Sequence, residues 1–102
     1  MYVYILKCSD NSFYAGITNN LSLRFKQHNA GYKKDSYTFS RRPVSLVFHQ
    51  EFSDVLQAIY FEKKIKGWTR AKKRALIEGD FDMLQILAEC RNATHHIYKP
   101  NE

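Results

Sequence analysis

Glu62 is the least ordinary residue of the sequence for its position. At about 100° per residue, Val55, Ala58, Ile59, Phe61, Ile65 and Trp68 fall on one apolar helical stripe, and Glu62 projects inside that arc. A carboxylate there must be paired, protonated or bound to a metal ion, because an unpaired buried charge is strongly unfavourable. Lys66, one turn further, offers the plain structural answer, an (i, i+4) ion pair whose lysine stem snorkels outward. A metal ligand at the rim of the core is the chemical answer. On an earlier helix Leu21 and Phe25 mark the buried side, and Arg24 and His28 share that side or its edge. A guanidinium there can clamp a phosphate and an imidazole can move a proton; the bland alternatives are an arginine packing its stem and a satisfied surface histidine. Tyr4 and Tyr14 lie in strand-like runs, where tyrosine is common for structural reasons alone. Gly16, in the same run as Tyr14, marks a bulge or a close approach.

These residues need elements to hold them. Tyr2–Cys8 and Phe13–Thr18 are rich in β-branched and aromatic residues and are separated by the turn-forming Ser9-Asp10-Asn11-Ser12, which predicts a hairpin. Thr18, Asn19 or Asn20 caps a helix to about Ala30, stopped by Gly31, and the polar, basic run Gly31–Arg42 reads as a functional loop. Pro43–Phe52 gives a third strand, and Ser53 or Asp54 caps a helix to Lys66, stopped by Gly67. Thr69 opens a basic helix ending near Gly79, and Asp80 caps an amphipathic helix to about Arg91. The order ββαβααα predicts an α+β fold, a small, mostly antiparallel three-stranded sheet flanked by helices. Residues 1–91 form one domain and 92–102 a tail, in which His95-His96 is read as incidental rather than as a metal site.

With 102 residues, 44% of them hydrophobic, the chain suits one domain with a real core. No window is long and apolar enough for a membrane span, and the N-terminus reads directly as strand rather than as a leader, so a cytoplasmic location is expected. Cys8 and Cys90 are too few for a disulfide framework and are expected as buried, reduced thiols. The net charge of +6 is concentrated: Arg24 to Arg74 holds thirteen Lys or Arg against the four acids Asp35, Glu51, Asp54 and Glu62. Aromatic side chains are interleaved with this tract, as expected where backbone phosphates are neutralised beside stacking rings.

Tyr2-Val3-Tyr4 stands where the first triplet of the GIY-YIG nucleases would be, and Tyr14-Ala15-Gly16 matches the second. Arg24, His28 and Glu62 follow in the order and elements in which that superfamily carries its arginine, its histidine or tyrosine, and its metal-binding glutamate. On this set the chain resembles the GIY-YIG nucleases over about residues 2–78. The runs YVYILKCSDNSFYAGIT and RRPVSLVF and the basic helix after Glu62 are similar to the small stand-alone bacterial members.

The resemblance implies hydrolysis of phosphodiester bonds in DNA or RNA with one Mg2+ or Mn2+ ion. It implies Glu62 as the metal ligand, Arg24 as the phosphate clamp, Tyr14 and Tyr4 as candidates for water activation and positioning, and His28 as a proton-transfer or leaving-group contact. Three positions depart from the pattern. Tyr2 replaces the first glycine, Ile17 stands where the excision-repair incision subunit has a lysine near its second tyrosine, and Asn92 is too distant to be the asparagine many members carry. A tyrosine of pKa about 10 needs help to act as a base at neutral pH, so the proton acceptor stays open.

Nucleic acid is the expected partner, through Lys33, Lys34, Tyr37, Arg41 and Arg42 of the loop and Lys63, Lys66, Lys72, Lys73 and Arg74 of the helices. Specific cutting is expected to need a partner protein or a structured substrate; oligomeric state is left open. Two other readings stand beside the nuclease: a binding module with the fold but no useful catalysis, and a protein-interaction or structural role. The hairpin bears on the choice. An even-length loop pairing Cys8 with Phe13 would set Tyr4 opposite Ile17 and put the two tyrosines on opposite faces. A joint role requires an odd-length loop or a bulge, expected near Gly16.

Overall fold

In the computed structural model, which describes the backbone of residues 1–97 and the side chains of residues 1–91, the run Tyr2–Lys7 forms β1, the middle strand of the sheet. It pairs antiparallel with β2 (Phe13–Thr18) on one side and β3 (Ser45–Glu51) on the other. Four α-helices complete the expected order: α1 (Leu21–Ala30), α2 (Val55–Lys66), α3 (Arg70–Ile77) and α4 (Met83–Ile97). The fold is α+β, as expected.

Being central, β1 is buried on both faces, which explains why its sequence is nearly continuously apolar or aromatic. Val3 and Ile5 face a core built with Ala58, Phe61 and Ile65 of α2, Leu76 of α3, and Ile86 and Cys90 of α4. Tyr4 and Leu6 face the other way, with Cys8 and Val44, against Leu21 and Phe25 of α1. The two cysteines are buried and are not joined in a disulfide.

Lys7 pairs with Phe13, Leu6 with Tyr14 and Tyr4 with Gly16, so the five residues Cys8 to Ser12 link the paired positions. Within that link Asn11 N–H donates to the Cys8 carbonyl (3.0 Å) and Cys8 N–H to that of Ser12 (2.9 Å). Asn11 takes the left-handed conformation at φ 67. This is the odd hairpin built on a turn and one left-handed residue, and it puts Tyr4 and Tyr14 on one face. The loop alone sets the register, so the bulge expected near Gly16 is not needed there. A register irregularity falls instead between β1 and β3, where Ile5 pairs with Phe48 but Leu6 with Leu46, leaving Val47 extra. Gly16 serves close approach: a Cβ on it would lie 2.4 Å from the Tyr4 hydroxyl.

Asn20, Asp54 and Thr69 cap α1, α2 and α3 through side chains that accept from Leu23, Leu56 and Lys72 N–H. The cap of α4 is Asp82, whose Oδ1 accepts from Leu84 N–H at 3.0 Å and Gln85 N–H at 3.3 Å, and not the expected Asp80. Asp80 is drawn into closing α3: Gly79 turns left-handed at φ 80, and Asp80 N–H reaches back to the Ala75 carbonyl. α4 continues to Ile97 rather than ending near Arg91. The His95-His96 pair lies outside the described side chains and the tail from 98 onward outside the described residues.

Candidate active site

Four elements converge where β1 and β2 turn their tyrosines toward α1. Asn29 fixes the C-terminal turn of α1 to the start of the third strand: its Nδ2 donates to the Val44 carbonyl (3.1 Å) and its Oδ1 accepts from Val44 N–H (2.8 Å). His28, one residue earlier, is thereby aimed at the hairpin. Its Nε2 lies 3.0 Å from the Tyr4 hydroxyl and its Nδ1 2.8 Å from Thr38 Oγ1. Thr38 is 1% exposed, and its Oγ1 is 3.1 Å from Ser36 Oγ.

The Arg24 guanidinium acts electrostatically on the Tyr4 hydroxyl. Both imidazole nitrogens of His28 are engaged, Nε2 with Tyr4 and Nδ1 with Thr38. Burial first, then the neighbouring Tyr14, pushes Tyr4 up to about 12, with Arg24 opposing and Glu62 adding. Burial, then Arg24, lowers His28 below its ordinary 6.5, which keeps the ring neutral at pH 7. Tyr4 is therefore a protonated hydroxyl that holds His28 in place, a poor choice for the base.

α2 supplies the other half. Glu62 is 7% exposed among the buried Ala58, Phe61 and Ile65, and its Oε2 meets Lys66 Nζ at 2.6 Å. The structural alternative foreseen for Glu62, an ion pair one turn along, is thus present. Lys66 is held charged chiefly by its hydrogen bond to Glu62, and its Nζ lies 6.0 Å from the Tyr14 ring centre. Tyr14 joins the two halves, its ring 5.2 Å from His28, 6.4 Å from Tyr4 and stacked on Tyr37 at 5.9 Å. Arg24 and Glu62 both influence the Tyr4 hydroxyl, the first lowering and the second raising its pKa. A pocket of about 220 Å³ opens alongside, walled by Tyr14, Arg24, Gln27, His28, Tyr32, Lys33, Ser36, Thr38 and Phe39.

Among the described residues no three His, Cys, Asp or Glu side chains cluster as a protein-only metal cage. Glu62 by itself fits a hard ion of the Mg2+ kind, which keeps several waters, takes one or two carboxylates and completes its shell with phosphate oxygens. The carboxylate sits at the core rim, and Lys66, the cation paired with it among the described residues, is half exposed.

The basic residues divide. Lys33, Lys34, Lys63, Lys72 and Arg74 are exposed, Lys73 half-buried, and Tyr37 is exposed beside Tyr14. Arg41 and Arg42 instead have partners within the chain. Arg41 bonds Asp10 (3.0 Å) and the Tyr37 carbonyl (2.8 Å) and lies over the Tyr37 ring, while Arg42 bonds the Phe39 carbonyl (2.8 Å) and lies over its ring. They shape the loop that carries Thr38. Sequence reasoning passed over Asn29, Ser36 and Thr38; the Ser36-Tyr37-Thr38 spacing, in which Ser36 Oγ accepts from Thr38 N–H, was the one local sign of an ordered turn.

Comparison with known proteins decides the family. Residues 1–75 match the family described as the GIY-YIG catalytic domain. The chain belongs to the GIY-YIG family. Membership places this GIY-YIG domain in a nuclease superfamily, and the matched segment runs from β1 into α3, so it contains Tyr4, Tyr14, Arg24, His28 and Glu62. A UPF0213 protein of Bacillus pumilus is 48% identical over 77 residues, 76% of this chain and 78% of that protein. The UPF0213 protein YazA of Bacillus subtilis is 43% identical over 103 residues, covering 99% and 93% of the two chains. A UPF0213 protein of Bacillus halodurans, solved by solution NMR, superposes with a TM-score of 0.50 at 38% identity, over 76% of this chain and 81% of that one. Among the described residues of the GIY-YIG chain, no helix is long and apolar enough to cross a membrane.

Proposed function

We propose that this GIY-YIG domain is a metal-dependent endonuclease that hydrolyses phosphodiester bonds in DNA or RNA. The observation that carries the reading is that Tyr14 lies beside His28 of α1 and the Lys66 ammonium of α2, with Arg24 lining the same pocket and Glu62 paired to Lys66. Arg24 clamps the phosphate at the mouth of the pocket and neutralises charge that develops on it. Glu62 holds Mg2+ or Mn2+, which when bound polarises the phosphate and stabilises the leaving oxygen. Tyr4, kept protonated by burial, bonds His28 Nε2 and fixes the ring that borders the pocket. Tyr14, less buried and beside the Lys66 ammonium, is the tyrosine left to orient the attacking water. Lys33, Lys34, Lys63, Lys72, Lys73 and Arg74 hold the backbone on either side.

The test is cleavage of end-labelled single-stranded, duplex and branched oligonucleotides in Mg2+ and in chelator. Products that form in Mg2+ and stop with chelator support the reading; nucleic acid bound but left intact in both would overturn it. A second reading, a binding module without catalysis, draws on one observation: Glu62 already has a neutralising partner in Lys66. That reading expects the same affinity and salt slope with and without Mg2+.

A further inference from the structure

We infer that Lys66 is a placeholder cation for the Glu62 carboxylate, so that a divalent ion reaches Glu62 by displacing the ammonium rather than by filling an open site. The inference rests on the proposal that Glu62 is the metal ligand and adds how that site behaves before the ion arrives.

A carboxylate that is 7% exposed among apolar side chains needs a counter-charge at all times. Lys66 Nζ supplies it at 2.6 Å from Oε2, where a metal ion and an ammonium would repel each other too strongly to share the oxygen. Displacement is built into the geometry. The Lys66 side chain is 51% exposed and leaves the last turn of α2, so its ammonium can swing away without unpacking Phe61 or Ile65. In this same position Nζ already lies 6.0 Å from the Tyr14 ring centre, at the limit of cation–π attraction, so Tyr14 is a neighbour toward which a displaced ammonium can move. The displaced charge therefore stays on the side of Tyr14, whose ring borders the pocket with Arg24 and His28. There the Lys66 charge would lie beside a phosphate held by Arg24.

Calorimetric titration with Mn2+ alone tests this on the full chain and its Lys66→Met, Lys66→Arg and Glu62→Gln variants, with melting curves in parallel. Lys66→Met is expected to bind Mn2+ roughly fivefold more tightly than the parent and to gain more in melting temperature from saturating Mn2+. Lys66→Arg, which keeps the charge, stays near the parent, and Glu62→Gln loses binding. Should Lys66→Met not fold, Lys66→Gln removes the same charge and carries the same expectation. Mn2+ binding that depends on Glu62 but is unchanged or weaker on removing the Lys66 charge overturns the placeholder alone. Binding that survives Glu62→Gln, or is absent from every variant, overturns the metal role of Glu62 and the placeholder with it.

Discussion

Alanine at Gly16 would place a methyl carbon 2.4 Å from the Tyr4 hydroxyl and 2.5 Å from the ring carbon that bears it. Tyr4 is 1% exposed, so its ring cannot yield without disturbing His28 and the α1 core. Gly16→Ala is expected to cost about 1–3 kcal/mol in urea unfolding and to cut activity with it; an unchanged midpoint would show that Tyr4 has room to move. His28 sets a pH dependence. Its folded pKa lies below the ordinary 6.5, chiefly through burial. Below that value the unfolded chain takes up a proton that the folded chain refuses, so the His28 contribution is complete at neutral pH and is lost as pH falls toward the folded pKa. Unfolding measured from pH 7 downward should show this loss, and His28→Gln should remove that part of the slope. A slope identical in the variant would contradict a buried, neutral His28.

The hairpin is where an element decides the chemistry. Its odd link keeps Tyr4 and Tyr14 on one face, and Asn11 at φ 67 makes the odd link achievable. Asn11→Gly should match or slightly exceed the parent in stability, whereas Asn11→Val should lose about 1–2 kcal/mol, because a β-branched residue resists the left-handed region. Equal stability of the two variants would mean the turn can take another form. Much of the element pattern was legible because its signals are local. Asn20, Asp54 and Thr69 each precede a periodic run, and Glu62 stood out because it broke one. The cap of α4 was not legible: Asp80 and Asp82 both have capping chemistry, and the left-handed turn at Gly79 chose between them. Among the candidate residues, Arg24, His28 and Glu62 stood out by type and spacing, whereas Tyr4 and Tyr14 were singled out only by the family resemblance. Thr38 and Asn29 did not stand out, since their partners lie across the fold and no periodicity marks them. The Arg41–Asp10 bridge was not legible either, because Asp10 lies on the far hairpin turn.

At the scale of the whole molecule, the basic residues behind the net charge of +6 are concentrated between Arg24 and Arg74, with Arg24 and Lys33 on the pocket itself. α3 contributes a dense part of it, with Lys72 over the Trp68 ring at 5.2 Å. Replacing Lys72, Lys73 and Arg74 by alanine should weaken nucleic-acid binding and flatten its dependence on log salt by up to about three units, near one per lost phosphate contact. A filter-binding titration with an unchanged slope would turn that helix away from the substrate. The central claim is that binding and cutting part company at one carboxylate, and Glu62→Gln tests it most directly. The substitution is nearly isosteric and leaves the basic surface in place. The measurement is cleavage of a labelled oligonucleotide in Mg2+, with affinity and melting temperature recorded on the same preparation. The account predicts that cleavage falls by at least about a hundredfold while affinity and folding persist, as expected when a group that stabilises transition-state charge is removed. Cleavage near the parent rate by a folded Glu62→Gln protein would contradict it.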